Sequence, residues 1–253
     1  MSASAVRIYD IMACDVYWDF DTPLPREQHK FLVSFHPTPG TPTPELIERI
    51  TARGPGGYEV TFANEKFTGR NLNGWIYDGT LDYYWYMVNL ATGFLPEGEY
   101  TIEVVCKDGT VLTRSRVQDS APSRDLVAAY REHRETLLAS FTTAADAPLD
   151  QVRCGWRTLK DLAGPDTYAI FRLAEGSSVA EFDTQRLVWW DNIFIRRARG
   201  TDPEAGLNRG GVTVGTGLKP ATDYGWFVEL TDANAQGETN ICVFQPHRFF
   251  RTP

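Results

Sequence analysis

Few residues of this chain are of the types that do chemistry, and they are scattered. The 253 residues hold only 4 histidines: His29, His36, His133 and His247. His36 opens a stretch rich in Pro, Thr and Gly, and a histidine on a loop is the best placed of the set to act as a general base. His133 lies among charged residues and reads as solvated. His247 follows Pro246 in an apolar run and reads as structural. Asp15, Asp19 and Asp21 share one parity, with Tyr17 between them. On an extended strand they occupy one outward face. There a row of carboxylates could hold Ca²⁺, which takes oxygen ligands, or Asp15 and Asp19 could serve as acid and base. The plainer reading is a solvated strand face whose charges discourage edge pairing.

The remaining motifs of catalysis are missing from the sequence. It contains no nucleophile elbow, phosphate loop, dinucleotide fingerprint or zinc-type histidine pair, and no cofactor is expected. Cys14, Cys106, Cys154 and Cys242 are too widely spaced for a zinc site. Each sits in an apolar strand pattern, as a buried free thiol does; one bridge in each half is the alternative.

Aromatic residues carry more information. They make up 13% of the chain, and large rings supply core area and binding surface alike. Along Tyr83–Val88 they occupy both faces of a strand: Tyr84, Tyr86 and Val88 against Tyr83, Trp85 and Met87. A strand in a solitary sandwich needs only one apolar face. In the second half Trp189, Ile193 and Ile195 oppose Val188, Trp190 and Phe194. Something must cover each second face: a helix, the other half of the chain, a partner subunit or a ligand. Trp75, Tyr77, Tyr83, Trp85, Trp189 and Trp190 are therefore the expected ligand-binding residues.

The elements that must position these side chains are mostly strands. Residues 8–20 alternate with period two, Met12, Cys14, Val16, Trp18 and Phe20 on one side. Pro23 and Pro25 end the run. Further strands are expected at 31–35, 58–62, 75–90 with an interruption at Asp78-Gly79, 100–106 and 111–117, the last two joined by a turn at Lys107-Asp108-Gly109. Residues 46–52 fit either a short helix begun by Thr43 and Pro44 or, as preferred, a strand; 64–74 read as an exposed loop. The texture changes after residue 119. Ser123 is a candidate N-cap, and Leu126, Tyr130, Leu137, Leu138 and Phe141 form one apolar helix face. Strands resume at 152–159, 168–173, 187–196, 212–214, 224–230 and 241–250.

One motif resembles a known family. Leu218-Lys219-Pro220-Ala221-Thr222-Asp223-Tyr224 is similar to the E–F corner of fibronectin type III domains, where the Tyr hydroxyl bonds back to the backbone. Leu95-Pro96-Glu97-Gly98-Glu99-Tyr100 looks like a shorter version that lacks the Thr. The resemblance implies a mainly β chain of two tandem immunoglobulin/fibronectin III-like β-sandwiches joined by an amphipathic α-helix: residues 1–119, a helical connector at 120–147, and 148–253.

Charge narrows the partners. The formal net charge is −8, and no basic cluster offsets it; Arg196, Arg197 and Arg199 sit beside Asp191, Asp202 and Glu204. Nucleic acid is not an expected partner. No run reaches the length of a membrane span, and the opening residues lack the pattern of a signal peptide. The expected location is cytoplasmic, or secreted after processing. The leading functional expectation is a non-catalytic binding or assembly protein that recognises a saccharide or a protein partner, or forms a homo-oligomer, through its aromatic strand faces. The alternative is an enzyme with an aromatic-lined site between the halves, using His36, Asp15 or Asp19 on an apolar or aromatic small molecule. A spacer role is the third reading.

Overall fold

The computed structural model describes residues 6–20, 24–68, 72–79, 82–184, 186–191, 204–233 and 238–253. The architecture is mainly β, in several sheets. The chain divides into two units: Met1–Val16 with Glu27–Ser120, and Tyr17–Arg26 with Ala121–Pro253. Among the described residues no helix is long and apolar enough to cross a membrane.

The first unit contains β1 (Ile8–Trp18, whose last two residues are reckoned with the second unit), β2 (Glu27–Phe35), β3 (Ile47–Gly54), β4 (Tyr58–Phe62), β5 (Asn73–Asp78), β6 (Tyr83–Thr92), β7 (Gly98–Cys106) and β8 (Val111–Gln118). One sheet runs β1-β2-β6-β5 and the other β4-β3-β7-β8. They close on one core. Phe31, Val33 and Phe35 of β2, with Tyr86 and Val88 of β6, meet Ile50 and Ala52 of β3 and Tyr100, Ile102 and Val104 of β7. Period-two alternation produces this, because each strand sends every second side chain to one face. The ambiguous segment is both things in turn: a one-turn helix α1 (Thr43–Leu46), with Pro44 in its first turn, feeds β3.

The reading of β1 needs correction. Ile11 and Ala13, placed on the outward face by the alternation, lie in the core, and Met12, Cys14 and Val16 are buried too. Both faces of β1 are covered, so its pattern gives no outward side. Asp15 and Asp19 are each 1% exposed, not solvated.

The second unit holds α2 (Ser120–Ala139, from Ala121 on), β9 (Thr142–Thr143), β10 (Arg153–Gly155), β11 (Tyr168–Glu175), β12 (Leu187–Asp191), β13 (Gly211–Thr213), β14 (Asp223–Thr231), β15 (Ile241–Phe244) and β16 (Arg248–Arg251). The main sheet runs β12-β11-β14-β15, and β16 pairs with the other half of β14. A small sheet runs β13-β10-β9. Ser123 is not an N-cap: α2 begins at Ser120, and Ser123 is buried inside it. Of the expected apolar face, Leu126, Tyr130 and Leu137 are buried, with Val127 beside them; Leu138 is half-buried, and Phe141 lies past the end of the helix. The final run expected at 241–250 is two strands, broken at Gln245-Pro246-His247 because Pro lacks a ladder donor. All four cysteines are buried free thiols, and no bridge forms.

Both corner motifs make their hydrogen bond. The Lys219 N–H donates to the Tyr224 hydroxyl oxygen at 2.9 Å. The Tyr100 hydroxyl donates to the Pro96 carbonyl at 2.9 Å. The second corner is further tied by Thr252, whose hydroxyl donates to Lys219 O and accepts from the Thr222 N–H. Tyr224→Phe removes the acceptor from a backbone donor inside that corner. It is expected to cost about 1 kcal/mol, read as a shift of the urea midpoint at unchanged slope.

Candidate functional site

The structure brings two of the residues singled out by the sequence into one cluster. The rings of Tyr9 and Tyr83 stack with centroids 4.4 Å apart and 24° between planes. His36 stands edge-on to both, 5.2 Å from Tyr9 and 5.1 Å from Tyr83. All three are half-buried. Three local features build the cluster. Tyr83 opens β6 opposite Asp78 of β5. His36 follows the last residue of β2, its N–H bonded to the Arg7 carbonyl at 3.0 Å. Ile8 and Ile11 both pack on the core although they lie three positions apart, on opposite parities. Alternation therefore breaks between them, which lets Tyr9 meet Tyr83. Sequence reading did not single out Tyr9.

Two cations flank the rings. Arg114 donates to the Tyr9 carbonyl at 3.2 Å. Burial lowers the pKa of His36 below its ordinary value, and Arg7 and then Arg114 lower it further. The imidazole is therefore neutral at pH 7 and joins the tyrosines as a flat polar ring, while the positive charge sits on the exposed Arg7 and Arg114. Among the described residues the His36 ring has no hydrogen-bond partner to orient it as a base. The arrangement can stack a planar group and attract an anionic one.

The other expected ligand-binding residues fall elsewhere. Trp75 and Tyr77 share the core-side face of β5, with Tyr84 against both at 5.8 and 5.1 Å. Tyr77 is 50% exposed and donates to Asp82 at 2.6 Å. Trp85 is buried at 9% exposure and is not a surface platform. Trp189 and Trp190 belong to the second unit and are half-buried. Trp189 lies over Gly215, where a Cβ would collide with its ring. Trp190 lies near the Arg172 guanidinium, 5.8 Å away. Ile193, Phe194, Ile195 and the arginines at 196, 197 and 199 lie outside the described residues.

The aspartate row does not assemble. Asp15 faces the first unit's core and accepts the Leu95 N–H at 2.8 Å. Asp19 belongs to the second unit, where it accepts from the Tyr130 hydroxyl at 2.6 Å, from Arg134 Nε at 2.6 Å and from Arg26. It is a buried anchor for α2. Asp21 lies outside the described residues. Among the described residues no group of three His, Cys, Asp or Glu side chains is arranged to hold a metal ion.

His29 and His247 have structural surroundings. His29 bonds the Gly93 carbonyl through Nδ1 at 2.7 Å and the Tyr58 hydroxyl through Nε2 at 2.8 Å. His247, at the break between β15 and β16, sits among Phe20, Phe182, Phe227 and Phe249, with centroids 4.3 to 5.9 Å away. Burial pushes its pKa down to about 4. A cavity of about 390 Å³ in the second unit is lined by Glu175, Glu181, Asp183, Arg186 and Val188. Its carboxylates are already engaged, by Lys219, Ser177 and Arg186 respectively.

No family model matches the chain, and no curated protein matches it. Among solved structures, Salmonella alpha-2-macroglobulin reacted with methylamine aligns over 98% of this chain at 10% identity and a TM-score of 0.25. The chain spans 14% of that protein's length. Murine CEACAM1b aligns over 96% of this chain and 99% of its own, at 10% identity and a TM-score of 0.22. Scores this low leave the fold description resting on the chain's own strands.

Proposed function

We propose that the chain is a non-catalytic binding protein whose recognition surface is the Tyr9–His36–Tyr83 cluster with its flanking Arg7 and Arg114. Its scaffold on this reading is a pair of tandem immunoglobulin/fibronectin III-like sandwiches joined by α2, the arrangement that the two corner hydrogen bonds favour. The observation that carries the function is the stacked tyrosine pair closed by an edge-on neutral histidine, half-buried and bordered by two exposed arginines. Such a site suits a ligand that offers a flat face and a negative charge: an acidic saccharide stacked on Tyr83, its carboxylate toward Arg114, or an aryl carboxylate. Binding is favoured over turnover because, among the described residues, the His36 ring is held by ring contacts and meets no carboxylate that would orient it.

The test is calorimetric titration with a panel of neutral saccharides, uronic-acid oligosaccharides and aryl carboxylates. An acidic member should bind, and Tyr83→Ala should weaken it by about tenfold or more, the scale of one lost stacking contact. Binding that is indifferent to Tyr83→Ala, or confined to neutral sugars, would remove the cluster from consideration. Conversion of the bound compound that is lost in His36→Ala would replace the reading by an enzymatic one.

A further inference from the structure

The two sheets of the first unit treat their edges differently. On β4, Asn73 closes the edge: its side chain accepts the Ala63 N–H at 2.7 Å and donates to the Thr61 carbonyl at 2.9 Å. On β5, residues 65–67 run alongside, with the Trp75 N–H bonded to Glu65 O and the Phe67 N–H to Trp75 O. Among the described residues β8 has no such cover. There it pairs with β7 alone along its whole length, and most of its residues are exposed, Val111 at 54% and Val117 at 62%.

The hairpin sets which backbone groups are left over. Cys106 donates to the Thr110 carbonyl at 2.8 Å, making that a hydrogen-bonded pair. Such pairs alternate along an antiparallel ladder. In the register Val104↔Leu112, Ile102↔Arg114 and Tyr100↔Arg116, Leu112, Arg114 and Arg116 therefore spend their N–H and C=O groups on β7. Val111, Thr113, Ser115 and Val117 point theirs outward, a row of donors and acceptors without a backbone partner among the described residues.

Side chains on this edge have a sign. Arg114 and Arg116 share the inward face with Leu112. Among the described residues neither is in an ion pair, and the buried Nε of Arg116 has no hydrogen-bond partner. Charges on an edge often serve only to repel other strands. Here, however, Arg114 is tied down to the Tyr9 carbonyl, and Arg116 is partly buried.

We infer that β8 is a docking edge for an extended peptide of a partner protein, one that alternates acidic and apolar residues and adds as an antiparallel strand. Its backbone meets the outward groups of Thr113 and Ser115. Its acidic side chains then fall opposite Arg114 and Arg116, in the non-hydrogen-bonded pairs where side chains come closest. Its apolar side chains cover Val111 and Val117 on the other face. A second copy of the chain fits less well, since antiparallel self-pairing that matches Val111 with Val117 sets Arg114 against Arg114.

The probe is a short fluorescein-labelled peptide alternating glutamate with valine, compared by anisotropy with one that has lysine for glutamate. The glutamate peptide should bind, more weakly as salt rises, and the lysine peptide should not. Thr113→Pro removes one outward N–H while sparing the ladder to β7, a position where an edge strand tolerates proline. It should weaken the glutamate peptide about tenfold or more, as should Arg116→Glu, with circular dichroism and the β7–β8 fold unchanged. Equal binding of both peptides, or full binding to a folded Thr113→Pro variant, would overturn the assignment. So would no binding at all, which would leave the arginines as guards of the edge. Dimerisation of the chain itself in sedimentation, reversed by Thr113→Pro, would give the edge to a second copy. The Tyr83 titration reads the aromatic cluster separately, so either assignment can fail alone.

Discussion

Asp19→Ala should destabilise the chain by about 3–5 kcal/mol, the usual result of removing one member of a buried ion pair. The carboxylate is fully buried and accepts from Tyr130, Arg134 and Arg26. Arg26 is half exposed and can turn to water, so little of the effect comes from it. Most comes from the buried Tyr130 hydroxyl, left without its acceptor, and from Arg134 Nε; the rest of the Arg134 guanidinium is 32% exposed and keeps Glu135. Tyr130 is fully buried, and burial, with Asp19 beside it, already holds its hydroxyl in the protonated, donating form. Asp19→Asn preserves the volume but turns an NH₂ toward at least one donor, so it should recover only part of the loss. Urea and thermal unfolding of the second unit read both, with a fall in Tm of roughly 6–20 °C for the alanine variant. A loss under about 1 kcal/mol would mean that water reaches these donors and that the group behaves as a surface pair.

The second large effect is a dependence on pH. His247 has its pKa pushed down to about 4 by burial, against about 6.5 in an unfolded chain. Above pH 6.5 the group is neutral in both states and contributes nothing. As pH falls from there toward 4, the unfolded chain takes up a proton that the folded chain refuses, so stability is lost across that window. At pH 5 the loss attributable to this one side chain is about 2 kcal/mol. His247→Phe should remove that share of the acid slope. At pH 7 it should be close to neutral, because the buried Nδ1 has no hydrogen-bond partner to lose among the described residues. Unfolding free energies at pH 7 and pH 5 for both forms decide the matter. An unchanged slope in the variant would assign the acid loss to other groups.

The parts of this architecture that were legible in the sequence are those governed by local rules. Strand alternation located β2, β6, β7 and β14, and Lys107-Asp108-Gly109 marked the β7–β8 turn, where Gly109 takes a positive φ of 84°. Lys219-Pro220 and Tyr224 announced a corner whose hydrogen bond the structure contains. Alternation failed at β1, because it assumes one wet face and β1 has none; there a carboxylate looks outward by parity and is buried in fact. Nothing local reveals that Asp19 is buried, since its partners on α2 lie 111 and 115 residues away. Of the cluster proposed for binding, His36 and Tyr83 were visible as a loop histidine and an aromatic strand. Tyr9 was one ring among many until folding set it on Tyr83, and Arg7 and Arg114 enter only through folding.

The partnership of Asp19 also bears on how the chain is made. Tyr130 lies 111 residues downstream of Asp19, an interval of roughly 5–20 seconds at ordinary rates of elongation. Until then Asp19 has only its neighbour Arg26, while Trp18 and Phe20 await Phe244 and Phe227. Residues 17–20 thus leave the ribosome early and are satisfied last. On a nascent chain they are a stretch with three large rings, Tyr17, Trp18 and Phe20, and no place to bury them, which makes it the natural contact for a chaperone and the first place where a stalled or truncated product would aggregate.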